Sequence, residues 1–329
     1  MRQVRLPLIL ATIAALAPAI TLAACGSRTV SSGQLGTLDS VAMVSASDGW
    51  AVGTIILHFD GHQWQRTSDP VTNELVSVAM VSSSDGWAAG DGVFLHFDGH
   101  NWKKVYEVPN ASLSRVFMLS ATDGWAVGAT RASNASPAYA LLLHYDGTSW
   151  QQVALPQRYE SLEDTFMVSP SEGWAVGLDQ TSHVALLHFH HAIWSQMPLP
   201  PDRVSPSHLW MVSSTDGWLT GQPILHYQGG AWSPIATPST GLTGLLRGID
   251  MVSSSQGWAV GDNGILRYAD GMWSIQSAQR VNRMAGVAML SNQDGWAAGT
   301  YTEVGDQVTR YAIILHYDGS SWTQVKINS

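Results

Sequence analysis

From residue 38 onward, short apolar runs alternate with polar, turn-forming pairs, and the alternation recurs seven times at a spacing of roughly 40 residues. No apolar period of 3.6 is sustained over a helix length, which excludes a helical solenoid. Each repeat carries four strand signals. Strand A is a run such as Val78-Ala79-Met80-Val81-Ser82. An Asp-Gly pair follows and predicts a tight hairpin turn, because glycine tolerates positive φ. Strand B reads Trp-Ala-Val-Gly and strand C Ile-Leu-His-Tyr. A second Asp-Gly turn leads to strand D, which opens on tryptophan. Four short antiparallel strands per repeat describe a propeller blade. The expected fold is all-β, a seven-bladed β-propeller of four-stranded antiparallel blades over residues 38–329.

The repeat is strict at particular positions. The Gly-Trp tryptophans are Trp50, Trp87, Trp125, Trp174, Trp218, Trp258 and Trp296, each preceded seven residues earlier by a methionine. The strand-D tryptophans are Trp64, Trp102, Trp150, Trp194, Trp232, Trp273 and Trp322, so only Trp210 of the fifteen lies outside the pattern. A blade cannot cover both of its faces alone, and stacking blades in a ring does so. The methionine and the two tryptophans of each repeat are the expected wedges. The chain is expected to start on strand A of blade one and end on strand D of blade seven, with closure by sheet packing and no shared strand.

Charge narrows the partners. Charged residues make up 12% and the formal net charge is −9, with lysine only at 103, 104 and 326. Phosphate binding needs clustered Lys and Arg, so nucleic acid is not an expected partner. Residues 1–24 read as an export signal: Arg2 and Arg5, an apolar stretch broken by Pro7 and Pro18, then small residues. Leu22-Ala23-Ala24-Cys25 resembles a bacterial lipobox, which implies lipidation at Cys25, the sole cysteine. Residues 25–37 then form a Ser/Gly-rich tether. The expected protein is an exported monomer, lipid-anchored to the cell membrane and facing outward or the periplasm.

Gly-Trp-Ala-Val-Gly followed by Ile-Leu-(His/Arg)-(Phe/Tyr)-Asp-Gly-x-x-Trp resembles the bacterial BNR or Asp-box propellers over residues 38 to 326. The branch it is most similar to includes the photosystem II stability and assembly factors. Two features depart from that pattern. The Asp-to-Trp turn is one residue shorter than a standard Asp box, and Met replaces Phe in strand A. The resemblance implies a fold that hosts many activities.

In four antiparallel strands, the B–C and D–A connections emerge at one face and the A–B and C–D turns at the other. Length varies at the first face. From the strand-B glycine to the strand-C histidine or arginine the spacing is 5, 6, 16, 11, 5, 6 and 17 residues. Insertions of this kind commonly carry function, or they drift neutrally. Those of blades three, four and seven hold Arg131, Asn134, Tyr139, Asp179, His183, Tyr301, Glu303, Asp306, Arg310 and Tyr311. Ten residues before each Gly-Trp tryptophan stand Ser40, Ser77, Arg115, Asp164, His208, Gly248 and Gly286; Trp210 and Asp250 lie eight before theirs. Arg115, Asp164, His208, Trp210 and Asp250 are therefore expected at the channel mouth, as the floor of a protein or glycan site rimmed by Tyr139, Tyr301, Arg310 and Tyr311. The plainer alternative is an Arg115–Asp164 ion pair with Trp210 filling a gap.

No catalytic constellation is expected. No Gly-x-Ser-x-Gly, His-Glu-x-x-His or P-loop motif occurs. Asp164 and Asp250 fall two blades apart, where a retaining glycosidase needs carboxylates about 5 Å apart. A carbohydrate-active enzyme is the alternative to a binding or scaffold module. Neither a cofactor nor a metal is expected. The strand-C histidines of different blades stand too far apart to share an ion at ~2 Å bond lengths. The pair His190-His191 has no evident partner.

Overall fold

The structure is a computed structural model in which residues 35–133, 137–200, 207–238, 244–262, 264–277, 283–305 and 307–328 are described. Cys25, Asn134 and Asp306 lie outside the described residues, as does the export segment. No helix among the described residues is long and apolar enough to cross a membrane.

Seven antiparallel sheets follow one another around the ring, each with its strands in the order A-B-C-D. Blade one is built from Leu38–Ser45, Asp48–Gly53, Ile56–Phe59 and Trp64–Arg66; blade seven from Arg283–Ser291, Asp294–Val304, Val308–Tyr317 and Trp322–Val325. The chain is thus the all-β, seven-bladed propeller that the repeat predicts.

The tryptophans fasten neighbouring blades. Trp50 of strand B meets Trp102, the strand-D tryptophan of blade two, edge to face at 5.4 Å and 85°. The same contact recurs between Trp87 and Trp150, Trp174 and Trp232, and Trp218 and Trp273. It closes the circle between Trp296 of blade seven and Trp64 of blade one, at 5.5 Å. An edge-to-face pair matches the positive rim of one ring to the negative face of the other, worth ~0.5–1.5 kcal/mol beyond area burial.

The recurrent strand-C histidine is part of this packing. His58 stacks on Trp50 with ring centroids 4.3 Å apart, and its Nε2 lies 2.9 Å from Asp48 Oδ1. Blade six substitutes Arg267, whose guanidinium sits over Trp258. A cation held over an indole face replaces the stacked imidazole.

One turn differs from expectation. Ser45 pairs with Asp48, so Ala46 and Ser47 make the A–B corner, and Asp48 and Gly49 already belong to strand B. Ser45 Oγ accepts the Ser47 N–H at 3.1 Å and holds that corner. The first Asp-Gly pair is therefore not a turn signal: Asp48 serves His58, and Gly49 leaves room for Met43. The second pair is a turn, with Gly61 at φ 88° and Asp60 Oδ1 accepting the N–H groups of His62 and Gln63 at 2.9 Å.

Closure also differs from expectation. Ile327–Asn328 adds a fifth strand to blade one, parallel to its strand D, pairing Ile327 with Trp64 and Asn328 with Gln65. Ile327 is buried in the apolar cluster between blades seven and one. At the other end, the Gly36 N–H donates to the Arg310 carbonyl at 3.1 Å, and Leu35 bridges to Tyr311. Each end of the propeller chain crosses the seam in opposite directions. The expectation of no shared strand fails because the few residues after Val325 reach the outer edge of blade one, where an unpaired strand offers free N–H and C=O groups.

Candidate functional site: the channel and its mouth

The inner strands surround a central cavity of about 490 Å³, bordered by Arg115, His208, Trp210 and Asp250 among others. Alternation along strand A, interrupted by a bulge at the residue eleven before the tryptophan in five blades, decides which side chains face the opening and which face the neighbouring blade.

Several residues ten before the Gly-Trp tryptophan tie one blade to the next. Ser40 Oγ accepts the Val78 N–H of the next blade at 3.3 Å, and Ser77 Oγ accepts that of Val116 at 3.1 Å. Asp164 does the same with the Leu209 N–H at 2.8 Å. Where this position is glycine, backbones close up: a Cβ on Gly286 would stand 3.0 Å from Val41 N.

Asp164 is fully buried and does not line the cavity. Arg115 Nε lies 3.3 Å from its Oδ1, His208 Nδ1 lies 3.2 Å from its Oδ2, and the Thr165 N–H donates to Oδ1 at 2.8 Å. Burial by itself would raise this carboxyl, but Arg115, His208 and the backbone donors outweigh it and hold it below the usual carboxylate range. The Arg115–Asp164 pair is thus an inter-blade tie linking blades three, four and five. Eight residues before the tryptophan, Phe117, Phe166 and Trp210 form a continuous row at 4.8 and 5.2 Å. Trp210 extends this plug on one side of the channel. The corresponding Ala42, Ala79 and Ala288 leave the other side open.

Asp250 faces that open side. It is buried, it accepts the Met289 N–H of blade seven at 2.7 Å, and burial pushes its carboxyl up to about 7, against smaller opposing effects of that N–H and of Arg115.

The mouth at the B–C/D–A face is a second cavity of about 370 Å³. Its lining includes the residue eleven before every Gly-Trp tryptophan: Asp39, Val76, Ser114, Glu163, Ser207, Arg247 and Ala285. Ser112 and Arg283 join them. Asp39 Oδ1 lies 2.7 Å from Arg283 Nη2, and Arg247 grips Asp262 through two hydrogen bonds at 2.7 and 3.0 Å. Burial raises the Asp39 carboxyl, against the pull of Arg283. The mouth therefore presents two carboxylates, Asp39 and Glu163, and two guanidiniums, Arg247 and Arg283, around a polar, open entrance.

Positions ten and eight before the tryptophan do not coincide with this ring of seven. The signal was present one residue earlier: Asp, Val, Ser, Glu, Ser, Arg and Ala is as varied a series as strand A contains. Of the expected floor residues, His208 borders both cavities, Arg115, Trp210 and Asp250 border the channel, and Asp164 borders neither.

The expected rim residues lie elsewhere. Tyr139 sits beneath the Arg158 guanidinium at 5.8 Å, beside a separate cavity of about 410 Å³. Tyr301 and Tyr311 are a cross-strand pair at 6.4 Å in the extended B–C hairpin of blade seven. Tyr311 and Arg310 meet the incoming chain at residues 35 and 36. Long insertions here are lengthened hairpins that brace neighbours: Arg131 of blade three pairs with Asp91 of blade two.

No family model and no curated protein matches the chain. Solved structures do. A structure titled YCF48 bound to D1 peptide is similar at 16% identity and TM-score 0.60, over 84% of this chain and 94% of that one. The WD40 propeller domain of Doa1 is similar at 13% identity and TM-score 0.60, over 85% and 94%. The GH74 xyloglucanase from Xanthomonas campestris is similar at 15% identity and TM-score 0.62, over 88% of this chain but only 53% of the enzyme. Likeness at these identities shows the fold alone, and it spans a peptide-bound propeller and a xyloglucanase.

Proposed function

We propose that this chain is an extracytoplasmic, lipid-anchored binding propeller that holds an extended polar segment of a protein partner at the channel mouth. The observation that carries this reading is the ring eleven residues before the tryptophans. It is a level of strand A to which all seven blades contribute a residue at an opening, and in five of them that residue is charged or a serine. Asp39, Glu163, Arg247 and Arg283 offer donors and acceptors to a peptide backbone, and fixed polar groups around a concave entrance give orientation. The peptide-bound YCF48 structure supports a protein partner over a glycan. A glycosidase of the two-carboxylate kind would need a second carboxylate free to work with Asp250, and Asp164 is committed to Arg115 and His208.

The anchor is part of the proposal. Cys25 stands at the lipobox position, and the described chain enters beside blade seven on the same face as the mouth. Cys25→Ser should move the protein from the membrane fraction to the soluble fraction; unchanged fractionation would remove the lipoprotein part of the reading.

Recognition is tested by affinity capture from the native envelope with Ser112→Trp, which places a large ring at the exposed edge of the mouth. The variant should fold as wild type and lose the captured protein. Equal capture by both would place the interface away from the mouth.

A further inference from the structure

Blade four departs from its six sisters at three positions that meet in space. Where the others begin strand B with Asp or Gln, it has Glu172. Where most place Asp-Gly at the end of strand C, it has His190-His191. Glu172 is paired directly across the sheet from His190, and His188 lies two residues back on the same face of strand C. One ligand atom each from Glu172, His188 and His190 falls within 4.8 Å of the others. The pair His190-His191 does therefore have partners, within its own blade.

The geometry of the shared His–acid contact changes accordingly. In blades one, two, three, five and seven the histidine Nε2 lies 2.8 to 2.9 Å from its Asp, a normal hydrogen bond. In blade four, His188 Nε2 lies 3.4 Å from Glu172 Oε1. That is long for a hydrogen bond. It is close to the ~3.3 Å that separates two ligands on one tetrahedral ion with bonds of about 2.0–2.1 Å. The imidazole planes of His188 and His190 are nearly parallel, 5.6 Å apart. His190 is exposed, so its ring is free to turn toward the other two groups, while His188 is fixed by stacking on Trp174 at 4.1 Å.

We propose that Glu172, His188 and His190 bind one divalent transition cation of the zinc class, with at least one coordination position open to solvent. Two imidazoles and one carboxylate suit such an ion and would be a poor site for calcium or magnesium, which take oxygen ligands. All three ligands come from one blade, so the distance that separates histidines of different blades does not apply. The site lies at the A–B/C–D face, away from the mouth, and is independent of the recognition proposed there.

The test is a zinc titration of the untagged protein against a competing chromophoric chelator. Wild type should take up one tight equivalent. His190→Ala and Glu172→Gln should each weaken it by about tenfold or more. His144→Ala removes the lone His–Asp pair of blade three and should leave the tight equivalent in place. His190 is an exposed side chain, so its variant should keep the metal-free melting temperature, while losing the zinc-induced rise seen in wild type. Equal zinc affinity in wild type and His190→Ala, no tight equivalent in wild type, or an equal loss in His144→Ala would each overturn the proposal.

Discussion

The sulfur of Met43 lies where a side chain on Gly49 would begin: a Cβ there would stand 2.3 Å from Sδ. The same relationship holds between Met251 and Gly257 at 2.1 Å, and in every other blade. Methionine and the glycine before tryptophan are therefore one device, and each explains the other's strict recurrence. Gly49→Ala should cost about 1–3 kcal/mol by overpacking. Met43→Ala in the same chain should recover part of that loss. A double-mutant cycle by urea unfolding measures the coupling, and additive effects would show that the two residues do not compete for space.

Much of the architecture was legible because it is repeated. Seven copies of Met, Gly-Trp and the strand-D tryptophan fix blade number and strand order, and Trp50 and Trp64 are buried as wedges should be. Closure was not legible, because Ile327 and Asn328 form a strand only once blade one offers them an edge. The site was half legible. Variation among the strand-A residues pointed to the correct face, but a β-bulge at Glu163 interrupts the alternation, leaving Asp164 paired opposite Val176 in a seam and its neighbour Glu163 at the mouth. A bulge inserts one unpaired residue, so strict alternation misassigns the faces on either side of it. The insertions misled for a different reason: Tyr301 and Tyr311 pair within a hairpin that braces the incoming chain.

Asp164 should be a point of high stability cost. Removing it leaves Arg115 and His208 facing a buried gap, so Asp164→Ala should cost about 3–5 kcal/mol. Its folded pKa is depressed, so its contribution is present above the ordinary carboxylate pKa and is lost as pH falls through the folded value. The gap between wild type and Asp164→Ala in chemical denaturation should therefore narrow under acid. A gap independent of pH would mean that the tie is not electrostatic.

Asp250 should act in the opposite sense. Its carboxyl is raised to about 7, so the folded state holds a proton that the unfolded chain has released, and stability falls as pH rises from about 4 to about 7. Asp250→Asn keeps an acceptor for the Met289 N–H and removes the titration. Relative to wild type, the variant should gain on the order of a few kcal/mol between pH 4 and pH 8. A constant difference across that range would place the Asp250 carboxylate in contact with water.

The terminal latch should be measurable by truncation. Ile327 is buried between blades seven and one, so ending the chain at Val325 should cost about 2–5 kcal/mol, as for loss of a buried Ile. Shortening the blade-seven hairpin should also lower stability, because Arg310 and Tyr311 hold the incoming chain. Melting temperatures equal to wild type would show that the tryptophan contacts between Trp296 and Trp64 close the ring alone.

Site-specific photo-crosslinking in intact cells tests recognition at the mouth most directly. A photoreactive side chain at Ser112, on the mouth, is compared with one at Ser255, in the A–B turn of blade six on the opposite face. Recognition at the mouth predicts a discrete protein adduct from position 112 and none from position 255. The same adduct from position 255 alone, or from neither position, would contradict it.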